Sequence, residues 1–182
     1  MRTRRASVLI VVLMALAWSL GIFTAPAAAQ KFGNFVNQKF KFATQLPNHW
    51  ESNVKDNSLI FSGPKNTEER FVTINFQFIN RQPRDTLEGQ GKDLESQWAA
   101  LQGYKLLEKG KGSISGQPAL RLVAVYQPPQ AGGEPYQQEQ YVIERGAYFY
   151  YVGFTSPQRL FHKYKWAMDH AIKTFKFLPE GG

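Results

Sequence analysis

The 182-residue chain carries 22 lysines and arginines against 14 aspartates and glutamates, a net charge of +8, and contains no cysteine. That excludes disulfides and thiol chemistry, so stability has to come from apolar burial, which an aromatic content of 14% can supply. Much of the basicity is local, since three charges sit at the N-terminus and the segment 156–176 holds five lysines and arginines against Asp169.

In chain order, Arg2, Arg4 and Arg5 precede an apolar run from Val8 to Phe23 and the small-residue tail Ala25, Pro26, Ala27, Ala28 and Ala29. This pattern predicts a signal peptide over residues 1–29, cleaved before Gln30. An uncleaved anchor is the alternative, and the small-residue tail favours cleavage. Arg4 and Arg5 form a twin-arginine pair, but the strongly apolar core favours the general secretory route. No cysteine follows, so a lipoprotein anchor is excluded. Residues 30–182 are enough for one domain with its own core, expected as a monomer without a stable membrane anchor.

Lys31 to Asn37 is polar apart from Phe32 and Phe35 and is expected to drape over the domain edge. Lys39 to Phe42 alternates as a half-buried strand does, and Leu46 and Pro47 end it before Trp50. Leu59 to Phe61 and Phe71 to Ile79 read as strands, the second with Val72, Ile74, Phe76 and Phe78 on its apolar face. Asp85 with Glu88 resembles a capping box and starts a helix that ends near Gly103, with Leu87, Leu94, Trp98 and Leu101 on one face. Gly89 and Gly91 weaken that helix by roughly 1 kcal/mol each. Tyr104 to Glu108 and Ser113 to Ile114 are strand, turning through Ser115–Pro118 into Leu120 to Tyr126. Pro128 to Pro135, with three prolines and two glycines, is a loop.

Tyr136 to Ile143 and Tyr148 to Phe154 then form a hairpin around Gly146. Tyr148, Tyr150, Val152 and Phe154 share one face, Phe149 and Tyr151 the other, so the second strand is expected at the centre of a sheet. Ser156 and Pro157 predict the N-cap and first turn of a closing helix, with Phe161, Tyr164, Met168, Ile172 and Phe175 as its buried stripe. The class is therefore α+β, an antiparallel β-sheet with helices packed on it.

Phe40-Lys-Phe42, Leu46-Pro47-Asn-His-Trp50, Ile114-Ser-Gly116-Gln-Pro118-Ala119 and Met168-Asp-His-Ala-Ile172-Lys-Thr-Phe175-Lys-Phe177 together resemble the PsbP-like superfamily. That group includes extrinsic photosystem proteins, DcrB-type bacterial envelope proteins and Mog-type Ran-binding proteins. The resemblance implies an antiparallel sheet between helical layers, an α/β/α sandwich, and a non-enzymatic, partner-binding role. The motifs are structural and carry no functional residues over. The missing lipobox cysteine departs from many bacterial members.

No catalytic motif has its required spacing. Gly112-Ser-Ile-Ser-Gly116 puts Ile114 where a hydrolase elbow needs serine, and Gly89-Gln-Gly91-Lys92 lacks the serine or threonine of a phosphate loop. His162 and His170 lie two helical turns apart, too far to share an ion unaided, and His49 would have to complete such a site from a loop. No metal or cofactor is expected. The surface that stands out is the outer face of the last helix, where Trp166 is flanked by Arg159, His162, Lys163, His170 and Lys173. Read functionally, this is an anchor ringed by cations for an acidic protein or an anionic envelope component; nucleic acid does not suit an exported chain. Read structurally, the indole is covered by the segment around Phe32 and Phe35. The function expected is an exported, non-catalytic binding or assembly module. A small-ligand carrier with an aromatic pocket and an enzyme of unassigned reaction are the alternatives.

Overall fold

The computed structural model describes residues 31–129 and 131–179; the expected signal peptide lies outside them. Strands β1 (Phe32–Asn37) and β2 (Phe42–Pro47) form a hairpin, and β10 (Lys176–Phe177) adds to the other side of β2. The segment expected to drape over the edge is thus a strand. Its two phenylalanines are too few to make the alternation visible. In the connecting turn the Asn37 side-chain oxygen accepts from the Phe40 amide (2.8 Å), and Lys41 takes a left-handed conformation (φ 51°).

The large sheet holds β3 (Glu51–Lys55), β4 (Ser58–Ser62), β5 (Thr73–Asn80), β6 (Gln102–Ile114), β7 (Gln117–Gln127), β8 (Tyr136–Arg145) and β9 (Tyr148–Pro157). Their order is β3-β4-β5-β9-β8-β7-β6, antiparallel throughout, so β9 is the central strand. Its two aromatic faces serve two cores. Tyr150, Val152 and Phe154 join Ile74, Phe76 and Phe78 under the last helix and the small sheet. Phe149 and Tyr151 join Leu120, Leu122 and Val142 under the first helix. Strand β3, exposed along its whole length, carries no buried face to betray it in sequence.

Helix α1 (Leu87–Ala99) starts one residue later than the Asp85–Glu88 pattern predicts. Thr86 is the cap, its hydroxyl oxygen accepting from the Gly89 amide (3.0 Å), while Asp85 accepts from the Gln82 amide (2.8 Å) and closes the preceding turn. Gly91 has a packing reason: a Cβ there would lie 2.7 Å from Leu120 Cδ1, so its absence lets α1 sit down on β7.

Helix α2 (Gln158–Thr174) is not capped by Ser156. The β8–β9 pairing runs on through Gln137↔Ser156 and Tyr136↔Pro157, which holds Ser156 in the strand, fully buried, with its hydroxyl on the Pro157 carbonyl (3.2 Å). The loop supplies the missing cap, Pro135 O accepting from the Gln158 amide (2.9 Å). Leu160, Phe161, Tyr164, Ala167, Met168 and Ala171 are buried, followed by Phe175 just beyond the helix. Ile172 is only partly buried.

Gly153 marks a polar crossing on the α1 side of the sheet. A Cβ there would lie 2.1 Å from Asn75 Oδ1 and 2.6 Å from Gln140 Oε1, whose side chains fill the space above the glycine. Gly153→Ala is expected to lose about 1–3 kcal/mol in urea unfolding, because both amides are packed into the sheet. Unchanged stability would show that they swing aside freely.

Candidate functional site

At 100° per residue, Arg159, His162, Lys163, Trp166, His170 and Lys173 fall on one stripe of α2. The structure keeps that stripe together but changes its character. Strand β2 runs beside the C-terminal half of the helix, Thr44 Oγ1 donating to Ala171 O (2.7 Å) and the Gln45 amide to Thr174 Oγ1 (3.0 Å). The neighbouring β1 then lays Phe32 on the helix. Its ring stacks on His170 at 3.5 Å between centroids and meets Trp166 edge-on at 5.7 Å. Trp166 is therefore partly buried against the core rather than projecting freely. His170 is also bonded to Gln45 Oε1 (2.8 Å), and burial, then the Lys173 charge, hold its pKa below the ordinary histidine value. It adds no positive charge to the face at neutral pH.

The cations of the stripe have carboxylate neighbours from elsewhere in the chain. Arg159 Nε donates to Glu134 (2.9 Å), and its Nη1 lies 3.9 Å from Glu68. Lys163 pairs with Glu68, which also accepts from the Tyr164 hydroxyl (2.8 Å). The Lys163 hydrogen bond, then that of Tyr164, hold the Glu68 carboxyl below its usual range. Lys173 and His162 are exposed, and neither has a carboxylate partner among the described residues. These arginine and lysine pairs are solvent-exposed and screened, hence weakly held, so an incoming carboxylate can replace either glutamate.

A second charged cluster is enclosed under α2. Glu139 on β8 is fully buried, yet Arg121 Nε lies 2.5 Å from Oε1, the Tyr141 hydroxyl 2.9 Å from the same oxygen, and Lys165 Nζ 3.3 Å from Oε2. Burial pushes the Glu139 carboxyl up, but Arg121, Lys165 and Tyr141 outweigh it and hold it below the ordinary range. Burial, then the Glu139 charge, push the Tyr141 phenol well up. Arg121 also pairs with Glu108, and Lys165 with Asp169. Sequence reading missed this set. Its only trace is Arg121 in a strand otherwise read as apolar, and Glu139 among the glutamines of the next strand.

Among the described residues, no three histidines or carboxylates come together as metal ligands, and His49 pairs instead with Glu69 (2.9 Å). No described helix is long and apolar enough to cross a membrane.

An antiparallel sheet with one helix on each face and a small accessory sheet beside the second is an α+β sandwich. No family model matches the chain, and no curated protein matches it in sequence. Solved structures do. PsbP of Synechocystis sp. PCC 6803 superposes with a TM-score of 0.59 at 11% identity, covering 84% of this chain and 95% of that one. LpqN, described as involved in cell envelope biogenesis of Mycobacterium tuberculosis, gives 0.55 at 12%, covering 82% and 91%. The Saccharomyces cerevisiae Ran-binding protein Mog1p gives 0.57 at 9%, covering 82% and 97%. At these identities the likeness establishes the fold, and the fold is PsbP-like.

Proposed function

We propose that the protein is an exported, non-catalytic docking module of the cell envelope whose α2 face receives an acidic protein. The observation that carries this is the stripe from Arg159 to Lys173. It combines a tryptophan braced by Phe32 with cations whose internal carboxylates are exposed and weakly held. The charge-perturbed groups point the same way. Arg121 and the Tyr141 hydroxyl are both spent on Glu139 beneath the helix, and the Glu139 carboxylate has no exposed surface for a substrate to reach. The leader-like N-terminus supports export, and the described envelope role of LpqN supports the compartment.

The test places a photo-crosslinking side chain at Lys173 in the producing cell, identifies the captured protein, and measures its affinity with purified components. Lys163→Glu combined with Lys173→Glu is expected to weaken binding at least about tenfold, or about 1.4 kcal/mol, at low salt and less at high salt. Trp166→Ala is a poorer probe, because it also removes packing on Phe32. An unchanged affinity in the charge-reversed variant overturns the α2 face. An exported chain that still begins at Met1 overturns the leader.

A further inference from the structure

The turn between β1 and β2 and the turn between β8 and β9 meet at one end of the molecule and enclose a cleft of about 270 Å³. Its lining includes Lys39, Lys41 and Arg145 together with Phe40, Tyr148 and Tyr150, and among the described residues no carboxylate lines it. The one carboxylate next to it in sequence, Glu144, is held by Arg81 at 2.8 Å.

Arg145 is fixed in an unusual way for an arginine. Its Nη1 donates to Lys41 O (3.3 Å) and its Nη2 to Leu178 O (2.9 Å), while the guanidinium lies 4.3 Å from the centroid of the Phe177 ring. The contacts that hold it are neutral, so among the described residues no carboxylate offsets its charge. Lys41 is held through its backbone. Its left-handed backbone (φ 51°) turns its carbonyl toward both Arg145 and the Leu178 amide (2.8 Å), a strained conformation that persists because two donors depend on it. Lys39 donates to the carbonyl of Asp56 (3.2 Å) and lies over the Phe40 ring. The Tyr150 hydroxyl closes the floor on Phe40 O (3.0 Å).

We infer that this cleft binds a phosphate group. Three cations in a recess without an acid give a potential that favours a dianion over a carboxylate, and an arginine beside two lysines is the composition that phosphate oxygens select. The volume lies just below the range of ordinary ligand pockets, which suits a phosphate head group rather than a whole extended ligand. The site is separate from the α2 stripe, so it stands or falls independently of the docking face.

The phosphate has two sources, free phosphate species and lipid head groups, and two arms of one experiment separate them. Inorganic phosphate is titrated into isotope-labelled protein at constant ionic strength, and the amides of Lys41, Gly146, Ala147 and Tyr148 are followed by NMR. In parallel, the protein is floated with phosphatidylcholine vesicles with and without phosphatidylglycerol. Saturable shifts at millimolar phosphate, weakened at least about tenfold in a Lys39→Gln and Lys41→Gln double variant, support a site for free phosphate. Flotation that requires phosphatidylglycerol and is lost in the double variant supports a head-group site. Both substitutions are at the rim, outside the core, and unchanged unfolding of the variant confirms that the fold is intact. Shifts that never saturate, or that persist unchanged in the double variant, together with no phosphatidylglycerol-dependent flotation, overturn the inference.

Discussion

Phe154→Ala is expected to lower stability by about 3–5 kcal/mol in urea unfolding, and Phe175→Ala to fall toward the lower end of that range. Phe154 is wholly buried on the central strand, with its ring 5.2 Å from Phe161 of α2, so it joins sheet to helix where neither can move in to fill a void. Phe175 is almost as buried and stacks on Phe42 at 5.2 Å, between α2 and the small sheet. The short β10 beside it pairs through only Lys176 and Phe177, so this region can relax around a cavity more readily than the centre of a seven-stranded sheet. Losses below about 1 kcal/mol at both positions, typical of surface substitutions, would show that α2 docks elsewhere.

The central strand was legible because Tyr148 to Phe154 is apolar on both faces, a pattern that an edge or one-sided strand does not tolerate. Strand β3 was hidden because its side chains are mostly polar and exposed, and β1 because Phe32, Phe35 and Val36 do not alternate, its pairing with β2 and the packing of both phenylalanines being set by distant parts of the chain. The helix caps were misplaced for a tertiary reason. Ser156 has the side chain for a cap, but pairing with Gln137 keeps it in the ladder, and no local pattern reports how far a hairpin zips.

The α2 face shows the same limit. A helical wheel identifies the six residues that share it, yet weighs them only against their own helix. It has no knowledge of Phe32, brought onto Trp166 and His170 by a strand at the other end of the domain. Nor can it see Glu68, 95 positions away from Lys163, which cancels charge that a sum along the helix counts as net positive. The structural reading of Trp166, coverage by the segment around Phe32, is realised in part: Phe32 meets the indole, which stays only partly buried.

Arg121→Met is expected to cost about 3–5 kcal/mol near neutral pH, the scale on which breaking a buried pair destabilises by stranding the other charge. Arg121 touches Glu139 from the neighbouring strand, and Glu139 has no access to water. Lys165 and the Tyr141 hydroxyl remain, but burial, the largest influence on the Glu139 carboxyl, then stands against a much weaker opposition. The pH dependence follows from the direction of the shift. In the native protein the folded pKa of Glu139 is below its unfolded value, so its contribution is fully present above the unfolded pKa and is lost as pH falls through the folded one. Without Arg121 that pKa rises, and where it exceeds the unfolded value the variant gains stability on protonation instead. The gap between the two proteins should therefore narrow toward acid pH, which parallel urea titrations would measure. A second substitution, Glu139→Gln, should recover most of the loss at neutral pH, because it removes the stranded charge while keeping a side chain that can accept from Tyr141. If the single variant loses less than about 1 kcal/mol and the loss is flat with pH, Glu139 is not held as a carboxylate by Arg121, and the enclosed cluster is a packing feature rather than an electrostatic one.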